Sequence, residues 1–273
     1  MARRQAKAQP AEAAPARPGG SGGREPKASA PPRTMVLGHR GASAEAPENT
    51  LAAFRLALAQ GAEGVELDVR LCATGEVVVV HDEDLGRVGG TPLRVADSPL
   101  ADLRAVDVGA FKGELYRGER IPLLSEVLEA LPEALVNVEL KGRGGRGLSL
   151  ARAAAEVIRR AGADGRVVVS SFDWRLLAAF RLAAPQVAAG LLLEESPAWR
   201  LYTPLAIRAL RPAAIHPELA LATDERVRRW AARGLAVIVW TVDEPSDAVR
   251  LARAGAAGLI TNAPARVRAA LGG

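Results

Sequence analysis

The chain has 273 residues, 49% of them apolar and 25% charged, with a single cysteine. That length holds one large α/β domain with an ample buried core, and the composition excludes collagen, disulfide scaffolds and a wholly disordered chain. A bilayer span needs about 18 consecutive apolar residues, and charge-free stretches such as 182–193 fall short, so no stable membrane insertion is expected.

The net charge of +5 is not spread over the fold. Seven of the 36 basic and two of the 31 acidic residues fall in 1–33, which leaves 29 of each for 34–273. A nucleic-acid-binding fold would carry its own basic stripe, so no nucleic-acid partner is expected. Residues 1–33 contain no Leu, Val, Ile or aromatic residue, and the composition predicts a disordered basic tail without the apolar segment of a secretory signal. A lone Cys72 cannot form an intrachain disulfide. It fits a reducing compartment, and a cytoplasmic location is the expectation.

From Met35 onward short apolar runs alternate with helical periodicity. A strand at 35–38 is followed by a predicted helix from Glu48 to Gln60, with Leu51, Phe54 and Leu58 on one face and Gly61 just past its end. Val65–Val69 reads as the second strand. Val77–His81 follows after too few residues for a parallel crossover, so it is expected to return antiparallel as a hairpin arm. Residues 84–121 exceed an ordinary barrel loop and are expected to form an insertion over the barrel mouth, ending at Ile121-Pro122. A helix carrying Leu124, Val127, Leu128 and Leu131 comes next. Further strands are predicted at 135–140, 167–171, 189–193, 213–216, 235–241 and 258–261. Helices are predicted from near 149, 173, 203, 224 and 245, and a last one from Pro264 to Leu271. Eight β/α units over 34–273 predict a (β/α)8 barrel, and the absence of a Gly-x-Gly-x-x-Gly turn disfavours a doubly wound sheet.

In such a barrel the chemistry lies where the strands end. Period-two alternation puts Glu66 and Asp68 on one face of their strand, and Asn137, Glu139 and Lys141 on one face of theirs. Three carboxylates converging in one mouth raise each other's pKa unless a cation neutralises them. An oxygen-rich, sulfur-free cluster suits a hard divalent ion, Ca2+ or Mg2+. The alternative is structural ion pairing with Arg40, Arg70 and Lys141. His39 ends the first strand, and the hairpin register returns His81 beside Leu67 and Asp68, so the two imidazoles flank the carboxylates as candidate acid and base. His216 also ends a strand, with nothing nearby to favour either a functional or a structural role. Lysine is scarce, with only Lys112 and Lys141 beyond the tail. Lys141 beside Glu139 is therefore a candidate phosphate ligand or, alternatively, a Schiff-base lysine.

These residues fall into blocks: His39-Arg40-Gly41, Pro47-Glu48-Asn49-Thr50, Glu66-Leu67-Asp68-Val69, Val79-Val80-His81-Asp82, Ile121-Pro122-Leu123, Glu139-Leu140-Lys141, Ser170-Ser171-Phe172, Trp240-Thr241-Val242 and Ile260-Thr261-Asn262. Their order over residues 36–268 resembles the glycerophosphodiester phosphodiesterases. The resemblance implies a barrel enzyme that hydrolyses glycerophosphodiesters to glycerol 3-phosphate and an alcohol with a divalent metal. It implies that Glu66, Asp68 and Glu139 bind the metal and that His39 and His81 form the acid–base pair. It further implies that Arg40 and Lys141 hold the phosphate and that Trp240 lines the glycerol side. Two departures, Cys72-Ala73-Thr74-Gly75-Glu76 in the hairpin turn and Arg87-Val88-Gly89 after His81, lie around the insertion and bear on the alcohol group. A lysophospholipid phosphodiesterase is an alternative on the same barrel. A Schiff-base aldolase and a non-catalytic binding barrel are more distant ones.

Overall fold

Runs of valine and leucine that bury on both sides make the strands of this chain, as expected when helices cover a parallel sheet. The computed structural model describes residues 33–272 except 143, 197 and 198, together with the backbone alone of 199–202. The tail expected over 1–33 falls, but for Arg33, outside the described residues.

Nine strands are described: β1 (Met35–His39), β2 (Gly64–Leu71), β3 (Val77–Val79), β4 (Leu135–Leu140), β5 (Val167–Ser171), β6 (Ala188–Leu193), β7 (Ala214–Pro217), β8 (Ala236–Val239) and β9 (Gly258–Thr261). All but β3 are parallel to their neighbours, and β1 pairs with both β2 and β9, which closes an eight-stranded barrel. Outward residues such as Val65, Leu67, Val136, Val138, Leu191 and Val237 form one core with the surrounding helices. Leu37, Ala214, Ile238 and Ile260 fill the interior. The register sets His39 beside Glu66, Glu66 beside Asn137, and Asp68 beside Glu139. Five polar positions of three adjacent strands therefore share one end of the barrel.

Among the described residues eight helices alternate with the barrel strands: α1 (Leu51–Ala59), α4 (Leu124–Ala130), α5 (Gly144–Arg160), α6 (Trp174–Ala183), α7 (Trp199–Leu210), α8 (Asp224–Ala231), α9 (Pro245–Ala254) and α10 (Pro264–Ala270), with α2 (Gly86–Gly89) and α3 (Leu100–Ala105) inside the insertion. Three helix starts differ from the periodicity, and α7 at Trp199 rather than near 203 is one of them. α1 starts at Leu51 rather than Glu48, because Thr50 caps it by accepting from Ala53 N at 3.2 Å and Asn49 is left-handed at φ 58°. α5 begins at Gly144, in a glycine-rich stretch that propensity alone leaves as loop.

The hairpin forms in the expected register. Val69 pairs with Val79, Arg70 with Val78 and Leu71 with Val77. Val80 N donates to Asp68 O at 2.9 Å, which carries the ladder on to His81. Val77 and Val79 belong to the barrel core, while Val78 and Val80 face a separate apolar cluster with Leu85, Val88, Val95, Leu103 and Ile121. The insertion thus folds on its own small core against the back of the hairpin. It is tied to the loop after β1 where Lys112 Nζ donates to Ser43 O at 2.6 Å. Among the described residues no helix is long and apolar enough to cross a membrane.

Candidate active site

The chain turns sharply after His39. Arg40 and Gly41 have φ of 55° and 86°, and a Cβ at residue 41 would stand 2.5 Å from the Ala53 carbonyl carbon, so only glycine lets this loop lie against α1. The turn aims Arg40 into the barrel. Its backbone N donates to Glu66 Oε2 at 3.1 Å, its Nε lies 3.2 Å from Asp68 Oδ2, and its Nη1 donates to Glu48 Oε1 at 2.9 Å.

Glu66, Asp68 and Glu139 are all buried, and each offers an oxygen within 4.8 Å of those of the other two. Lys141 Nζ lies 2.6 Å from Glu139 Oε1 and 3.3 Å from Asp68 Oδ1. Burial, and then the charges of Asp68 and Glu139, push the Glu66 carboxyl well above its usual range. Burial and Asp68 likewise raise Glu139 to about 7 despite Lys141. Burial would raise Asp68 too, but Lys141, Arg40 and His81 together with a hydrogen bond from Asn49 bring it down to about 2. Two cations therefore do not neutralise the cluster, and structural ion pairing alone leaves two of the three carboxyls resisting ionisation. Arg70, the third cation considered for that pairing, instead donates from Nε to His81 O at 2.9 Å.

Both histidines open on the same pocket of about 240 Å³, with Glu66, Glu139, Lys141 and Trp240. His39 Nδ1 is 2.8 Å from Asn262 Oδ1 and its Nε2 is 3.9 Å from Glu66 Oε2. His81 Nδ1 is 2.7 Å from Asp82 Oδ1. Burial lowers the pKa of both imidazoles, outweighing the carboxylates around them. Trp240 meets Phe172 edge-on at 5.6 Å and donates from Nε1 to His216 O at 2.8 Å. The geometry thus brings together all eight residues expected from the sequence.

His216 does not belong to the reactive group. Its ring is fully buried, neither nitrogen has a hydrogen-bond partner, and burial drives its pKa down to about 3. It is a neutral packing residue set against Gly190. A larger open groove of about 490 Å³ runs outside the barrel past Arg55, Arg104 and Glu126. There Arg104 and Glu126 pair with each other, and neither histidine nor the buried carboxylate cluster reaches it.

The sequence did not single out Asn49 or Asp243. Asn49 Nδ2 donates to Asp68 Oδ2 at 2.8 Å, and Asp68 N donates to Asn49 Oδ1 at 3.2 Å. Asp243 accepts from Thr261 Oγ1, Asn262 N and Asn262 Nδ2. For the first, a signal open to sequence reading is its place two positions after Pro47 and beside Thr50, a turn-forming context; the second has none.

The donor set fits a hard divalent cation. It is all oxygen, it is over-supplied with negative charge, and the buried Asn137 Oδ1 in the same pocket has no hydrogen-bond partner. A parallel barrel with an acidic, histidine-flanked pocket at its strand ends defines a metal-assisted hydrolase of the (β/α)8 class. Residues 39–266 match the glycerophosphoryl diester phosphodiesterase family. A glycerophosphodiester phosphodiesterase of Caldanaerobacter subterraneus is 35% identical over 234 residues, covering 85% of this chain and 95% of the relative. An Oleispira antarctica phosphodiesterase in complex with the product sn-glycerol-3-phosphate superposes with a TM-score of 0.81 at 30% identity, covering 88% of this chain and 97% of that one. The Thermotoga maritima glycerophosphodiester phosphodiesterase gives 0.70 at 32% identity, over 85% and 96% of the two chains. The chain belongs to the glycerophosphoryl diester phosphodiesterase family.

Proposed function

We propose that this protein hydrolyses glycerophosphodiesters to glycerol 3-phosphate and an alcohol. The observation that carries the reading is a cluster of three buried carboxylates, two of them lining one pocket together with two imidazoles each held through Nδ1. The product-bound Oleispira relative supports the same substrate class. Glu66, Asp68 and Glu139 would hold the divalent ion, Ca2+ or Mg2+. When bound, that ion supplies positive charge against the phosphoryl oxygens.

The remaining chemistry falls to the chain. Arg40 and Lys141 present fixed cations to a diester anion at the pocket wall. One imidazole takes the proton of the attacking oxygen, and the other delivers a proton to the departing alkoxide. His39 and His81, with Nδ1 engaged, leave Nε2 for these transfers. Trp240, braced edge-on by Phe172, offers an apolar wall to the glycerol carbons. The reading assigns catalysis to 34–273 and none to 1–33.

The test is release of glycerol 3-phosphate from glycerophosphocholine and glycerophosphoethanolamine, and of lysophosphatidic acid from lysophosphatidylcholine, before and after chelation. The expected result is turnover of the deacylated diesters that EDTA abolishes and Mg2+ or Ca2+ restores. Turnover untouched by chelator sinks the metal assignment, and no product from any of the three sinks the reaction.

A further inference from the structure

His39 and Asn262 are 223 positions apart, and their contact is built by a third residue. The β8–β9 pairing continues past the strands, with Val242 N donating to Ile260 O at 2.9 Å, and this sets Asp243 beside Asn262. Asp243 Oδ1 accepts from Thr261 Oγ1 and from Asn262 N, both at 2.8 Å, and its Oδ2 accepts from Asn262 Nδ2 at 2.7 Å. The amide orientation of Asn262 follows from hydrogen-bond chemistry. A carboxylate accepts only, so it must face the NH2 end. The carbonyl end is then turned to His39 Nδ1 at 2.8 Å, and Ser43 Oγ donates to the same oxygen at 2.7 Å.

A carbonyl oxygen has no proton to give. His39 Nδ1 must therefore carry the hydrogen, and in the neutral ring the lone pair is left on Nε2. That nitrogen stands on the pocket side, 3.9 Å from Glu66 Oε2. We propose that Asp243 is a positioning residue which, through the Asn262 amide, fixes His39 in the tautomer whose Nε2 lone pair faces the pocket. The inference rests on the reading of His39 as one of the acid–base pair. It goes beyond that reading by assigning His39 the step that takes a proton from the attacking oxygen, which leaves proton delivery to His81, held instead by the Asp82 carboxylate.

Asp243→Asn tests it with almost no change of shape. The new amide keeps an oxygen for Thr261 and Asn262 N but sets an NH2 against the Asn262 NH2, so Asn262 turns over and offers its own NH2 to His39 Nδ1. The ring is then driven to the opposite tautomer, with hydrogen on Nε2. The readouts are imidazole 15N shifts, with the His39 signal assigned by its loss in His39→Asn, and kcat against KM on glycerophosphocholine with Mg2+. Expected are a hydrogen-bearing Nε2 at neutral pH and a fall in kcat of about 10²-fold or more with KM little changed. In Asp243→Asn with Asn262→Asp the donor and acceptor are exchanged, the carboxylate faces His39 Nδ1, and the original tautomer and part of kcat should return. An unchanged Nε2 signal, a kcat within about threefold of the parent, or a double variant no better than the single one overturns the proposal. The tautomer shift is read without turnover, so a protein that shows it yet releases no glycerol 3-phosphate refutes the proposed function and not this inference.

Discussion

Lys141 Nζ lies 2.6 Å from the carboxylate of Glu139, two positions earlier on the same inward face of β4. Burial alone would lower the lysine's pKa, but Asp68 and Glu139 outweigh it and the ammonium is held above its ordinary value. A Schiff-base lysine must be neutral to attack a carbonyl. Borohydride in the presence of dihydroxyacetone phosphate is expected to leave the mass of the Lys141 peptide unchanged, and an adduct there would revive the aldolase alternative. Lys141→Arg should keep a fraction of the parent turnover, because the cation survives with a different shape, while Lys141→Ala should lose far more.

The acidic cluster sets a pH signature in the chelated protein. Glu139 titrates near 7 in the fold, well above its usual carboxylate value. Between about 4.5 and 7 the folded state then binds more protons at this group than the unfolded chain, so its contribution to stability falls as pH rises. His39 and His81, with lowered values, act in the opposite direction below about 6.5. Glu139→Gln removes this group and with it part of the charge that raises Glu66, and both changes weaken the fall of stability with pH. The melting temperature of the parent relative to this variant, measured in EDTA, should drop between pH 5 and pH 7.5. A flat difference would show that Glu139 ionises freely.

His39→Ala and His81→Ala should each cost about 10²–10⁴ in kcat, the usual scale for a positioned acid or base. Affinity for Mg2+ or Ca2+ by titration calorimetry should change little in either. Near-normal turnover on glycerophosphocholine in one of them would mark that histidine as structural.

Arg87 of the insertion donates from Nη1 and Nη2 to Glu48 and from Nε to Asp82, while Glu48 also receives Arg40. Its removal leaves the Asp82–His81 and Glu48–Arg40 contacts without their common bridge. Arg87→Ala is expected to lower kcat/KM by several-fold with a melting temperature within a few degrees of the parent. A collapse of folding instead would place its main role in the insertion.

Gly190 is the floor beneath His216, since a Cβ there would stand 2.4 Å from His216 Nε2. Gly190→Ala should destabilise the fold by about 1–3 kcal/mol through overpacking. The same change in a His216→Ala background should cost much less, because the obstructing ring is gone. Equal costs in both backgrounds, by denaturant unfolding, would show that the barrel relaxes around the methyl.

The β/α alternation, the antiparallel return of 77–81 and the strand-end positions of His39, Glu66, Asp68, Glu139 and Lys141 were legible in the sequence. They rest on local periodicity, and a two-residue side-chain period assigns a face without knowledge of the neighbours. Where a loop is held by distant partners that reading stops. Leu51 rather than Glu48 begins α1 because Asn49 leaves the helix to bond Asp68, nineteen positions on. The sequence leaves His216 open between a functional and a structural role, and burial without a hydrogen-bond partner makes it a packing residue. Asp243 carried no pattern at all. Its role arises only when barrel closure brings β9 against β1, because a hydrogen bond across 223 residues is fixed by three-dimensional register and leaves no trace in local spacing.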